Sequence, residues 1–181
     1  GRDATQATTT LQPTIALVNG IWAIVGDGSR YFTTTATVGD MTAGGGSGTS
    51  VWVIRAGAAG QANFGYDITG RWSAHMNWDN SRLYFDGGGT GDARLDIDNS
   101  GNNGVWQQYI LWRDSGNMAI RWGGVQRTSK TGASQTASTA GIWYVLWANG
   151  SGAGKMNGLI AEYLQFASGL ILEIENYLPV R

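Results

Sequence analysis

The sequence contains no cysteine, only two prolines and a single histidine among its 181 residues. The absence of cysteine excludes disulfides, thiolate metal sites and a cysteine nucleophile, but it is compatible with either redox compartment. One histidine cannot build a multi-histidine metal site. No apolar run reaches the ~18 residues that a membrane-spanning helix needs. Because the chain begins at Gly1, without a methionine or a signal-like segment, we expect a fragment or a processed product.

Charged residues are also scarce. They make up 14% of the chain, against about 25% in an average soluble domain. The 12 basic and 13 acidic residues give a formal net charge of -1. This balance provides no electrostatic footprint for nucleic acid and no polybasic patch for a membrane surface. We therefore expect neither of them as a partner.

Glycine and tryptophan, in contrast, are abundant, with 29 and 9 copies. A chain rich in glycine and poor in proline has many turns but few rigid breaks. Wide aromatic side chains suit both sheet packing and stacking on sugar rings, so composition leaves both uses open. The chain is long enough for one domain with a sizeable core.

Short β-type runs recur along the chain, with turn residues between them. Alternation is clearest in 71–78, where every second side chain is apolar, namely Trp72, Ala74, Met76 and Trp78, and the others are Arg71, Ser73, His75 and Asn77. Such runs predict strands at 14–18, 21–25, 30–35, 51–56, 62–67, 71–78, 82–86, 93–97, 105–113, 117–122, 142–148 and 158–166. Many short strands separated by turns predict an antiparallel sandwich or jelly roll.

Three other segments have a different composition. Residues 39–50 (GDMTAGGGSGTS) are predicted to form a flexible loop, because small residues dominate them. Residues 129–141 (SKTGASQTASTAG) predict a long loop or a weak edge strand. Only 170–178 (LILEIENYL) has apolar residues at helical spacing, which predicts a short C-terminal helix.

Residues 96–107 (DIDNSGNNGVWQ) resemble a twelve-residue calcium loop in part. The match covers loop positions 1, 3, 5 and 6, which are Asp96, Asp98, Ser100 and Gly101. The last position, where calcium loops have a bidentate glutamate, is Gln107, and the flanks predict strands rather than helices. We favour a plain turn over a metal site, and we keep Asp96, Asp98 and Ser100 as the calcium candidates; no other cofactor is expected.

Residues 71–97 (RWSAHMNWDNSRLYFDGGGTGDARLDI) carry the one family resemblance. They resemble a stretch of laminin-G-like, concanavalin A-like domains of tailed-phage virion proteins, in which a strand ending "aHxPW" leads through a polar turn to a "xYFD" strand. The match includes His75, Trp78, Tyr84 and Asp86, and it departs at Asn77, where proline is commoner. Residues 1–15 and 158–178 look like the opening segment and the closing strand with terminal helix of such domains.

The resemblance implies an all-β, concanavalin A-like jelly-roll sandwich of two antiparallel sheets with a short C-terminal helix. It also implies a single domain over residues 1–181 that belongs to a longer chain and lacks its opening strand. An exposed sheet edge would then need cover from a neighbouring chain.

Three functions are compatible with that fold. The first is a non-enzymatic domain on the phage virion surface, in capsid decoration or in a tail or fibre, that binds host-surface or environmental glycans. The second is a purely structural cement protein whose partners are other virion proteins, with self-association left open. The third is a glycan hydrolase or lyase, which needs a carboxylate pair or a Tyr–His–Arg constellation. We favour the first, with candidate glycan-binding residues on the polar face of the central strands: Arg71, His75, Tyr84, Asp86, Tyr109, Arg113 and Arg121.

Overall fold

The computed structural model describes residues 3–57, 63–66, 70–146 and 155–169, with 63–66 described by their backbone alone. Within these ranges the chain forms fourteen β-strands and one short α-helix, α1 (Val38–Met41). The strands are β1 (Ala4–Thr5), β2 (Thr14–Val18), β3 (Ile21–Asp27), β4 (Phe32–Thr37), β5 (Ser47–Ala56), β6 (Asn63–Tyr66), β7 (Trp72–His75), β8 (Arg82–Gly87), β9 (Arg94–Asp98), β10 (Trp106–Asp114), β11 (Asn117–Trp122), β12 (Val125–Lys130), β13 (Ile142–Val145) and β14 (Asn157–Phe166).

The strands form two antiparallel sheets of seven strands each. Sheet A has the order β1-β4-β13-β6-β7-β8-β9, and sheet B has the order β12-β11-β10-β5-β14-β3-β2. The predicted all-β sandwich is therefore confirmed. All twelve predicted strands are present, 14–18 and 117–122 at the predicted bounds and the other ten with shifted ends, whereas β1 and most of β12 were not predicted as strands. The prediction that an opening strand is missing stays a prediction.

The hydrophobic core lies between the two sheets. Sheet A contributes Trp72 and Phe85, whose rings meet edge to face with centroids 5.6 Å apart. Sheet B contributes Trp52, which stacks on Tyr163 at 4.0 Å. Each buried aromatic side chain stabilises the fold by roughly 1.5–3 kcal/mol. Because the inner faces are filled in this way, groups that bind a ligand must come from the outer faces, the sheet ends or the loops.

The prediction of a flexible loop at 39–50 is wrong. The segment begins inside α1, whose first turn has a capping box: Thr37 N donates to Asp40 Oδ2 at 2.9 Å, and Asp40 N donates to Thr37 Oγ1 at 3.3 Å. It ends inside β5. Gly45 has a φ of 73° and lies so close to the carbonyl of Ala137 that a Cβ atom would clash. The glycine serves close backbone approach here rather than flexibility.

The segment 129–141 proves to be the end of an edge strand followed by irregular backbone. Its first two residues complete β12, which lies at the edge of sheet B. The predicted helix at 170–178 lies outside the described residues. Within the described ranges, no helix has both the length and the apolar composition for crossing a membrane.

Asp92 fixes the irregular part of that segment. Its carboxylate accepts hydrogen bonds from Ser134 N at 2.8 Å, from the Ser134 hydroxyl and from Gln135 N at 3.2 Å. The hydroxyl and backbone N–H of Ser134 lower the pKa of Asp92 below its ordinary value of 3.8. Asp92 therefore stabilises the fold above that ordinary value, and its contribution disappears as the pH falls through the lower, folded-state pKa.

We therefore expect Asp92→Asn to lower the free energy of unfolding near neutral pH and to have a smaller effect in acid. Urea unfolding of both proteins at about pH 7 and about pH 3 measures the difference. The exposed turn residue Asp79 offers the control Asp79→Asn. An Asp92→Asn deficit of the same size at both pH values would contradict the assignment.

Candidate functional site

A pocket of about 180 Å³ opens on the outer face of sheet A. It lies over β7, β8 and β9, which are neighbours at one edge of the sheet. Trp72 and Ala74 point into the core, so the alternation of β7 turns His75 outward. The same alternation on β8 buries Phe85 and turns Tyr84 outward. The residues lining the pocket are Arg71, His75, Trp78, Tyr84 and Arg94.

Asp86 is the charged centre beneath this pocket. Its side chain has no exposed surface. It accepts two hydrogen bonds from Arg94, from Nε at 2.5 Å and from Nη2 at 2.7 Å, and one from Arg71 Nη1 at 3.4 Å. The antiparallel register of β8 and β9 sets Asp86 directly opposite Arg94. A buried carboxylate is costly unless it is paired, so this arrangement holds both guanidinium groups in place at the pocket.

One cation–π pair and one pair of aromatic rings complete the lining. The guanidinium carbon of Arg94 lies 4.9 Å from the centroid of the Tyr84 ring, and Asn80 Nδ2 donates to Tyr84 Oη at 2.7 Å. The rings of His75 and Trp78 meet edge to face, with centroids 4.7 Å apart. These contacts fix the orientation of the aromatic groups that a ligand would meet.

The turn between β7 and β8 places Trp78 at the pocket. Trp78 N donates to the carbonyl of Arg82 at 2.9 Å, and Ser81 adopts a φ of 60° in the turn. Asn77 is buried and donates from Nδ2 to the carbonyl of Gly57 at 3.0 Å. The strand predicted over 71–78 is shorter in the structure, because β7 ends at His75, and Trp78 therefore does not follow the alternation that places Trp72 in the core.

The structure places four of the seven candidate residues together. Arg71, His75 and Tyr84 line the pocket, and Asp86 lies beneath it. Their side chains meet because β7 and β8 pair with His75 opposite Tyr84.

The other three candidates lie elsewhere. Tyr109 points into the core, where its hydroxyl donates to Asn99 Oδ1 at 2.9 Å and burial raises its pKa to about 12. Arg113 is buried at the end of the core. Arg121 is on sheet B and donates from Nη2 to the carbonyl of Gly124 at 3.4 Å. The prediction of a single polar face is therefore wrong for these three, since β10 and β11 belong to the opposite sheet and two of the side chains point inward.

Two lining residues, Trp78 and Arg94, were not among the candidates. For Arg94 the sequence does hold a signal. A glycine-rich stretch separates Asp86 from Arg94, and a hairpin closed by that stretch brings the two opposite charges face to face. For Trp78 the signal was the family resemblance, which includes it, whereas alternation gives none because its position depends on where β7 ends.

The calcium candidates lie at the end of β9 and in the turn that leads to β10. Asp98 accepts a hydrogen bond from Ser100 N at 3.0 Å, and this contact is the main cause of the lowered pKa of Asp98. Asp96 is paired with Arg82 Nε at 2.5 Å. Among the residues described, no cluster of three or more histidine, cysteine or acidic side chains is arranged to hold a metal ion. Calcium binding here stays a prediction.

Comparison with known proteins gives fold relatives only. No protein-family model matches the chain, and no curated protein matches it significantly. Among solved structures, domain 4 of the extracellular arabinanase AbnA from Geobacillus stearothermophilus, in complex with arabinotriose, is 18% identical with a TM-score of 0.59. The match covers 88% of this chain and 77% of that domain. A carbohydrate-binding module from Bacillus subtilis is 10% identical with a TM-score of 0.50, over 86% of this chain and 92% of the module.

A third relative is the enzymatically active domain of tailspike protein 2 from bacteriophage CBA120, which is 15% identical with a TM-score of 0.58. The match covers 90% of this chain but only 28% of that one, so this chain spans less than a third of the tailspike domain's length. At such identities the likeness shows the fold alone. Together with the two antiparallel sheets, it confirms the predicted jelly-roll sandwich of lectin-like type.

Proposed function

We propose that this chain is a non-enzymatic, lectin-like domain that binds glycans at the pocket on the outer face of sheet A. The observation that carries the proposal is the lining itself, in which two aromatic rings and two guanidinium groups surround one small opening above a buried carboxylate. Sugars present both apolar ring faces and hydroxyl groups. Aromatic rings pack on the former, and fixed hydrogen-bond donors serve the latter.

The aromatic residues Trp78 and Tyr84, the two arginines and the buried carboxylate have distinct parts in this proposal. Trp78 and Tyr84 provide apolar surface for a sugar ring, and Arg71 and Arg94 donate hydrogen bonds to its oxygens. Asp86 acts through the arginines as a positioning residue, because it has no exposed surface of its own. The volume of about 180 Å³ lies below the roughly 300–1,000 Å³ of drug-sized sites. We therefore expect one sugar unit, or the end of a chain, to enter.

We place the domain on the surface of a phage particle, in capsid decoration or in a tail or fibre. Two observations support this location. The stretch 71–97 resembles a phage virion domain, and it contains all five residues that line the pocket. A phage tailspike domain is also among the fold relatives. Other virion proteins are then the second class of partner.

A Trp78→Ala variant tests the binding site. We expect the wild-type domain to bind a subset of glycans on an array and Trp78→Ala to bind the same glycans about tenfold more weakly or worse, since a stacking ring is lost. The array is run with calcium and with chelator, so that any calcium requirement is read in the same experiment. Trp22→Ala is the matched control, because Trp22 is 66% exposed on sheet B. Equal losses for the two variants would contradict the assignment.

Glycan cleavage is the second candidate, and one observation favours it. Tyr84, His75 and Arg71 line the same pocket, which is the residue set that a lyase would need. Incubation of the domain with polysaccharides distinguishes the two functions. Release of soluble sugar products that is lost in His75→Gln would identify an enzyme, whereas glycan binding without turnover would support a binding domain.

A cement role also has an observation of its own. Ile15, Leu17 and Trp22 on the β2–β3 hairpin are 69%, 56% and 66% exposed. Leu17 and Trp22 are cross-strand partners, so they share one face. Stable binding to another virion protein that is lost on substitution of Trp22, together with no glycan binding, would favour this role.

A further inference from the structure

We infer that the pocket selects acidic sugars, with the carboxylate of a uronic or sialic acid unit facing Arg71 and Arg94. This inference rests on the proposed function and names its ligand class. Glycan binding alone does not require a charged sugar, so the two ideas can fail separately.

The described side chains that line the pocket present guanidinium groups to a ligand. Arg71 and Arg94 have 25% and 29% of their side-chain surface exposed, whereas the carboxylate that pairs with both has none. The described lining residues include no aspartate or glutamate. An incoming group therefore meets guanidinium surface, with Asp86 screened beneath it, and an anion is favoured over a neutral group.

The chemistry of the two cations also fits a carboxylate. A guanidinium group is a planar fork of donors that matches the two oxygens of a carboxylate. Arg94 is held closely by Asp86 at 2.5 and 2.7 Å and lies over the Tyr84 ring, so it is preorganised. Arg71 makes a longer contact to Asp86 of 3.4 Å. We expect both guanidinium groups to donate to the ligand carboxylate.

Among the described residues, the acidic side chains near this face lie beside the pocket and do not line it. Asp96 is the cross-strand neighbour of Tyr84, but its carboxylate is paired with Arg82 at 2.5 Å. Asp98 is the cross-strand neighbour of Arg82. Arg82, Asp96 and Asp98 make up a separate group of charged residues beside the pocket, and none of them lines it.

Binding of matched sugar pairs tests the inference. The probes are sialyllactose with lactose, and trigalacturonate with its methyl ester, each titrated calorimetrically into the whole chain. We expect the acidic member of at least one pair to bind about tenfold more tightly than its neutral counterpart, with an affinity that falls as salt rises. The two pairs distinguish sialic from uronic acids.

Three variants locate the effect. Arg71→Gln is expected to bring the acidic-to-neutral affinity ratio close to one, and Arg71→Lys to retain part of it, because the charge remains but the fork is lost. Arg82→Gln is the control, since Arg82 is an arginine on the same face outside the pocket. The inference is overturned if Arg82→Gln lowers the ratio as much as Arg71→Gln does.

The remaining outcomes separate the two ideas. Equal binding of acidic and neutral sugars would overturn the inference and leave the proposed glycan binding intact. Binding of no glycan, acidic or neutral, would overturn both.

Discussion

Replacement of Asp86 by alanine is expected to lower the free energy of unfolding by about 3–5 kcal/mol and to abolish glycan binding. The carboxylate has no exposed surface and pairs with Arg71 and Arg94. Its removal leaves two guanidinium groups beside a buried space without the carboxylate that they share. The pocket should change shape when Asp86 is removed, because the Asp86 carboxylate helps to orient the side chains of both Arg71 and Arg94.

Denaturant unfolding and calorimetric glycan binding measure these two effects. Asp96→Ala is the matched control, because it also removes an aspartate paired with an arginine on this face, but both side chains of that pair are about 40% exposed. Solvent screens such a pair, so we expect a loss of no more than about 1 kcal/mol. Equal destabilisation by the two substitutions would contradict the central position of Asp86.

Substitution of Arg113 by methionine is expected to have an effect of similar size. Arg113 is 1% exposed, and its guanidinium donates to four backbone carbonyls. Nε donates to Ser115, Nη1 to Gly87 and Gln135, and Nη2 to Ala133. It thereby ties the end of β10 in sheet B to the end of β8 in sheet A and to the segment 129–141. Burial lowers the pKa of Arg113.

Methionine fills much of the space but leaves these carbonyls without their donors. Each buried acceptor that loses its partner costs about 1–3 kcal/mol, and relaxation recovers part of the sum, so we expect a loss of about 3–5 kcal/mol. Arg55→Met is the control, since the side chain of the half-buried Arg55 makes a single hydrogen bond to the described residues, from Nε to the carbonyl of Gly104 at 2.7 Å. If the denaturation midpoint of Arg113→Met equalled that of Arg55→Met, the hydrogen bonds of Arg113 would not stabilise the contact between the two sheets.

The sequence predicts the strands well, because short runs of β-branched and aromatic residues recur with turn residues between them. The run 117–122 is found at those bounds, and the outward positions of β8 follow from the buried Leu83 and Phe85. The resemblance of 71–97 then directs attention to the face where the pocket lies. The fold class and the position of half the site could therefore be predicted from the sequence.

The rest of the site depends on features that alternation does not carry. Trp78 reaches the pocket because β7 ends early, and a strand end is set by hydrogen bonds with distant residues such as Gly57. From the sequence, Arg113 is expected to be a polar surface residue. In the structure it is buried, and the backbone carbonyls of Gly87, Ala133 and Gln135 accept hydrogen bonds from its guanidinium group. The glycines of 39–50 predict a flexible loop from the sequence alone. In the structure, Gly45 lies so close to the backbone of Ala137 that no larger residue fits there. Such long-range contacts are visible only in the folded chain.

The central claim is that a glycan binds at the pocket on the outer face of sheet A. The most direct test is an NMR titration of the isotope-labelled chain with the glycan that binds most tightly on the array. We predict that the indole signal of Trp78 and the amide signals of Arg71 and Tyr84 shift with increasing glycan, while the indole signal of Trp22 on sheet B stays in place. Shifts confined to sheet B, or no shift with any glycan, would contradict the claim.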